Sequence, residues 1–233
     1  MFTPLKDENS LKIIPYQFVT VSLIAVFALI FLWPLTLSDE ESRRLLLSYA
    51  INPAAVFGNA NLPDFATIPA ELTILTSLFL HIGWLHILSN LLYLWVFGDN
   101  VENSMGHVMY LGSFLVCGIT GGILHAAINS DYIIPTVGAS GAVSGVLGAY
   151  LMLHPRVRVL ALVFHFYPVH LPAYIVLCGW IVLQVIMAAF DATPGGVAWW
   201  AHIGGFATGA ILITFLKYPH IRLFDRPTVP PAP

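Results

Sequence analysis

Long apolar runs separated by short polar breaks dominate the chain, and six of them approach or reach membrane-spanning length. They cover residues 16–37, 83–97, 107–128, 137–153, 174–190 and 198–216. About 20 apolar residues carry a helix across a bilayer core, and lipid cannot satisfy exposed backbone groups, so a spanning segment of this composition must be helical. The pattern predicts an all-α polytopic membrane protein with six transmembrane helices, one membrane domain filling residues 1–233. Residues 38–80 break the rhythm. They mix Asp39, Glu40, Glu41, Arg43 and Arg44 with Pro53, Pro63 and Pro69 and with short apolar stretches such as Leu45 to Tyr49. This reads as a large structured first loop with amphipathic pieces lying in the interface. Residues 157–171 are apolar too, but His165, Pro168 and His170 interrupt them and Pro172 closes them. They read as a loop dipping into the interface.

The ends of the chain follow from the same reading. Residues 1–15 are a polar N-terminal segment. The first run is longer than the roughly 7–15 residues of a signal-peptide core and lacks a small-residue cleavage site, so it is expected to be retained as a helix. Residues 217–233 carry Pro227, Pro230, Pro231 and Pro233 and are expected to form a disordered Pro-rich tail.

Composition narrows the function classes. The chain is 58% hydrophobic and 9% charged, against roughly 25% charged in soluble domains. A net charge of −3 without a basic stripe excludes nucleic acid as a partner. Cys117 and Cys178 sit in different apolar runs, where neither a disulfide framework nor a CxxC motif can form; both read as small core residues. With six spans and the N-terminus inside, Lys6, Lys12, Arg156, Arg158, Lys217, Arg222 and Arg226 fall on the inner side, against Arg43 and Arg44 outside. The positive-inside rule then puts both termini in the cytoplasm. A bacterial cytoplasmic membrane suits so lean a chain.

Polar side chains in a span are costly and mark function. His81, His86 and Asn90 open the second span, Ser140 the fourth and His202 the sixth. Even-numbered spans run in one direction, so all of these fall at one depth, near the outer surface. A serine at a helix start between glycines has an accessible hydroxyl beside unsatisfied backbone N–H groups, which can hold an oxyanion. His202 suits the base that takes the serine proton. His86 and Asn90, one turn apart on one face, can add side-chain donors to a tetrahedral intermediate. No carboxylate lies at this depth in the second, fourth or sixth span, so a Ser–His dyad is expected. Gly141, Gly145 and Gly148 on the fourth span and Gly205 and Gly209 on the sixth give both helices small-residue stripes that allow close approach. Ser144, one turn deeper, is the alternative nucleophile.

Four motifs in this order carry a resemblance. Leu80-His-Ile-Gly-Trp-Leu-His-Ile-Leu-Ser-Asn90, Phe97-Gly-Asp-Asn-Val-Glu102 with Gly106, Gly138-Ala-Ser-Gly141, and Ala201-His-Ile-Gly-Gly205 with Gly209 resemble the rhomboid family of intramembrane serine proteases. The resemblance implies Ser140 as nucleophile and His202 as base. It implies an oxyanion hole from His86, Asn90 and the Ser140 backbone N–H, and Glu102 bracing the inner end of the second span. It implies an endopeptidase that uses no metal or cofactor. Its partners would be membrane lipid and other membrane proteins, cut in their transmembrane or membrane-proximal segments.

Two positions depart from the family pattern. A Trp-Arg pair common in the first loop is replaced here by Leu72-Thr73, and Ser144 stands where some members stack an aromatic ring on the histidine. Two other function classes compete. A transporter or channel would spread polar residues through the full depth of the membrane, whereas here they gather near one side. A non-catalytic adaptor binding transmembrane clients would be indifferent to Ser140. The His-Glu-x-x-His of a zinc enzyme is absent, and no pair of suitably placed membrane aspartates suggests an aspartyl enzyme.

Overall fold

The structure, a computed structural model, describes residues 2–9, 11–163, 166–190 and 196–225. His165 and the end of the expected tail lie outside them. In chain order the elements are β1 (Phe2–Asp7), α1 (Phe18–Leu32), α2 (Asp39–Tyr49), α3 (Pro53–Val56), α4 (Thr73–Thr76), α5 (Trp84–Met105) and α6 (His107–Ile128), followed by α7 (Ser140–Leu153), β2 (Arg158–Val163), β3 (Tyr167–Pro172), α8 (Ala173–Phe190) and α9 (Trp199–Leu216). One helix occupies each of the six apolar runs. α1 with the 3-10 turn that follows it, α6, α8 and α9 are each long and apolar enough to span alone. α5 qualifies together with residues 70–79, from which it is bent by 75°.

α7 differs from the others. Its 14 residues give a length of about 21 Å at 1.5 Å per residue, short of a ~30 Å hydrocarbon core. Gly141 through Tyr150 are all buried, so α7 is the central post of the bundle. One of its ends must lie inside the membrane. Gly-rich faces explain how neighbours close around it. A Cβ at Gly205 would overlap the Gly141 carbonyl, and one at Gly209 the Gly145 carbonyl, so α7 and α9 touch backbone to backbone along the two predicted stripes. Cys117 of α6 is buried against Gly145. Cys178 on α8 is exposed, so only one of the two cysteines is a core residue.

The inner end of α5 is a polar anchor. The predicted span stops at residue 97, yet the helix continues to Met105, with Asn100, Glu102 and Asn103 buried. Each has a partner among residues 7–20. Asn103 Oδ1 accepts from the backbone N–H groups of Lys12, Ile13 and Ile14 at 2.8–3.1 Å. Glu102 is fully buried and accepts from the Val19 and Thr20 N–H groups and the Thr20 hydroxyl at 2.7–2.9 Å. It also meets His107 Nδ1 at 2.6 Å. A carboxylate at the first turn of α1 satisfies orphan donors and faces the positive end of the helix dipole.

The loop expected at residues 157–171 is instead a β-hairpin. β2 pairs antiparallel with β3, Arg158 opposite Pro172 and Val163 opposite Tyr167. β1 adds to its other edge, Phe2 opposite Val163 and Asp7 opposite Val159. The N-terminal segment is therefore the third strand of a small sheet under the bundle, with Pro4 tolerated because β1 is an edge strand. The first part of the expected tail is also ordered: Tyr218 N–H bonds the Ser104 carbonyl, and Phe224 and Asp225 N–H groups bond those of Met152 and Leu153. Backbone hydrogen bonds hold it where composition alone suggested disorder.

Asp7 ties the sheet to the bundle, accepting from the Tyr150 hydroxyl at 2.6 Å and the Asn100 amide at 2.9 Å. Burial pushes its carboxyl up from 3.8 to about 6. Between those values the folded chain keeps a proton that the unfolded chain has released, so the stabilisation is full below about pH 4 and is lost as pH rises through 6. Asp7→Asn is expected to raise the unfolding temperature at pH 7.5 and to leave it unchanged at pH 4. Thermal unfolding in detergent at the two pH values checks this.

The first loop, expected to be structured with amphipathic pieces, is built from short helices. α2 opens with a capping box in which Ser38 and Glu41 bond each other's backbone N–H groups. Ile51 and Thr136 exchange backbone bonds of 3.0 and 2.8 Å, and Gly138 N–H bonds the Ser77 carbonyl at 2.9 Å. These bonds fix the turn that leads into α7.

Candidate active site

Ser140 is the first residue of α7. The helix ladder starts with Val143 N–H on the Ala139 carbonyl, so the N–H groups of Ser140, Gly141 and Ala142 lie ahead of it. No side chain caps them. Gly138 makes the turn. Its φ of +129° is one that L side chains rarely adopt, and a Cβ there would lie 2.6 Å from His86 Nε2 and 3.7 Å from Ser140 Oγ. The bare glycine is what lets the His86 ring and the Ser140 hydroxyl border the same small space.

His202 sits in the first turn of α9 and is buried. Its neighbour Ala201 supplies the helix contact: the Ala201 carbonyl would lie 3.3 Å from a Cβ at Gly141. Ser140 and His202, 62 positions apart in sequence, thus flank one backbone contact between α7 and α9. Ser140, Gly141 and Ala201 also line a cavity of about 20 Å³ with Ser77, His125 and Thr136, room for about one water.

Asn90, one turn after His86, is buried on α5 and donates through Nδ2 to the His86 carbonyl at 3.0 Å. An amide nitrogen has two protons, so that bond uses one. The His81 and His86 rings lie 5.1 Å apart. Ser144 is almost fully buried, and its hydroxyl donates to the Ser140 carbonyl at 2.5 Å. It is pinned inside α7 as a back-bonded serine. Thr73, at the other departure from the family pattern, is also buried and bonds the Ala70 carbonyl, while Leu72 is exposed.

The residues that reasoning from the sequence missed are on α8 and at the start of α9. His202 Nδ1 meets Gln184 Oε1 at 2.7 Å. Trp180, one turn earlier, lies against the same imidazole with ring centroids 5.7 Å apart at 36°, and Trp199 meets it edge-on at 6.1 Å. Aromatic contact with His202 thus comes from α8 and α9, in place of the ring absent at Ser144. The signal for Gln184 was present: it is a polar side chain in the middle of an apolar run, costly there unless bonded.

Residues 70–219 match the model of the Rhomboid domain, a stretch that includes every site residue above. Rhomboid protease GluP of Bacillus subtilis is 32% identical over 155 residues, which cover 66% of this chain and 27% of that protein. RHOMBOID-like protein 4 of Arabidopsis thaliana is 31% identical over 154 residues, 66% of this chain and 36% of that protein. Rhomboid protein 1, mitochondrial, of Saccharomyces cerevisiae is 26% identical over 201 residues, 76% of this chain and 55% of that protein. The chain therefore spans between about a quarter and about half the length of these relatives. With a family match over most of its bundle and apolar helices to cross the bilayer several times, this multi-pass integral membrane protein belongs to the rhomboid family.

Proposed function

We propose that the chain is a serine endopeptidase that cleaves transmembrane or membrane-proximal segments of other membrane proteins. The observation that carries this reading is the backbone contact of α7 and α9. It supports the reading because the uncapped start of α7, which bears Ser140, meets the first turn of α9, which bears the buried His202. Ser140 Oγ attacks the scissile carbonyl as His202 takes its proton. The carbonyl oxygen becomes an oxyanion and accepts hydrogen bonds from the Ser140 N–H and from His86 and Asn90, donors of a kind worth about 10²–10³ in rate each. The intermediate collapses, His202 returns the proton to the leaving amine, and water then hydrolyses the acyl-serine by the same base. The lysine and arginine bias supports termini in the cytoplasm and a site toward the outer face of the membrane, and the reading assigns the chain to a bacterial cytoplasmic membrane.

The reading is tested by incubating purified protein in liposomes with a panel of fluorogenic transmembrane peptides. Wild type should cleave a member of the panel, and Ser140→Ala and His202→Ala should not. Equal behaviour of all three overturns it in favour of a non-catalytic client-binding protein.

A further inference from the structure

α8 presents mostly exposed side chains: Tyr174, Ile175, Val182, Leu183, Val185 and Ile186 all face outward. Gln184, 4% exposed, is its only buried polar residue. Both ends of that amide are used. Nε2 lies 3.3 Å from the Trp180 carbonyl and Oε1 lies 2.7 Å from His202 Nδ1.

The pairing has one consistent proton assignment. A backbone carbonyl only accepts, so the amide nitrogen must be the end that faces Trp180. The amide oxygen then faces His202, and an amide oxygen also only accepts. Nδ1 must therefore carry the imidazole proton. A neutral imidazole has one N–H and one lone pair, so the lone pair is left on Nε2. Were the amide reversed, its N–H would meet Nδ1 and its oxygen would meet another oxygen, which is repulsive. The chain of bonds from the Trp180 carbonyl through Gln184 thus selects one tautomer. It also fixes the ring plane, which Trp180 supports from the same helix.

We infer that Gln184 is the positioning residue of this site, an uncharged orienter that holds His202 as its Nδ1–H tautomer with Nε2 free to take the Ser140 proton. The inference rests on the proposed proteolytic reading. It enlarges the expected dyad to three groups, with a neutral amide where other serine hydrolases use a carboxylate, and it places the third group on α8. Gln184 does not enter the covalent chemistry. Its removal should therefore act on turnover and leave substrate binding alone.

The experiment compares wild type, Gln184→Met and Gln184→Glu in two measurements. Methionine keeps length and volume but accepts poorly; glutamate restores an acceptor against Nδ1. In cleavage kinetics, Gln184→Met should lower kcat about 10–100-fold, a share of the 10²–10⁴ that a positioned general base supplies, with KM unchanged. Gln184→Glu should recover at least tenfold of that loss. In nitrogen NMR of histidine-labelled protein, with His202 assigned by its loss in His202→Ala, wild type should show a neutral ring protonated at Nδ1. Gln184→Met should move protonation toward Nε2. Wild-type kcat in Gln184→Met, a change confined to KM, or a wild-type His202 protonated at Nε2 overturns the inference. If wild type cleaves nothing, the proteolytic reading fails by itself, and the NMR comparison alone decides whether Gln184 sets the tautomer.

Discussion

Ser140→Ala is expected to lower kcat for peptide cleavage by about 10⁶-fold, the scale of loss when a serine enzyme is stripped of its nucleophile, while leaving the unfolding temperature unchanged. The two halves of this expectation have separate causes. Ser140 joins the structural hydrogen bonding through its backbone carbonyl, which accepts from Ser144, and alanine keeps that carbonyl. Alanine also keeps the helix start. The hydroxyl is the only part removed, and in the proposed mechanism it is the part that attacks. Cleavage rates and thermal unfolding of the same preparation check both halves together. A stability loss without a rate loss would mark Ser140 as a packing residue.

Gly205→Val should act in the opposite way, on the fold first. Any Cβ at this position overlaps the Gly141 carbonyl, which belongs to backbone and cannot swing aside like the end of a long side chain. Overpacking typically costs about 1–3 kcal/mol, and a backbone partner puts this site at the upper end of that range. Whatever folded protein remains would have α9 pushed away from α7. His202 lies one turn before Gly205 and Ser140 one residue before Gly141, so activity should fall with stability. Gly112→Ala is the control. Nothing lies within 4 Å of a Cβ there, and alanine is favoured over glycine in a helix by about 1 kcal/mol, so stability should hold or rise with activity intact. Thermal unfolding of the three proteins in one detergent separates a specific contact from a general intolerance of larger residues in the membrane.

Several parts of this architecture were legible because membrane physics writes them locally. An apolar run in lipid must be a helix, and all six runs are. The glycine stripes were legible for a related reason: small residues at helical spacing have little use except close approach, and Gly205 and Gly209 do meet Gly141 and Gly145. At the inner end of α5 only Glu102 was legible, through the family resemblance. Asn100 and Asn103 read as polar residues beyond the end of a span because their partners, Asp7 and the 12–14 backbone, lie more than 80 positions away. The sheet was hidden for the same reason, with β1 pairing across about 155 positions, and because β2 is apolar on both faces, which masks the alternation of a strand. At the site, convergence on one depth picked out Ser140, His202, His86 and Asn90. It could not find Gln184, which sits on a helix running the other way, or foresee that Trp180 would lie against His202.

The central claim is that Ser140 is a nucleophile activated by its surroundings. A fluorophosphonate probe tests it most directly, because such a probe phosphonylates an activated serine with loss of fluoride and requires no knowledge of the substrate. Intact-mass and peptide mapping of the treated protein should locate one adduct on Ser140, absent in Ser140→Ala and much slower to form in His202→Ala. An adduct that persists in Ser140→Ala, or a wild type that takes up no probe, would contradict the account.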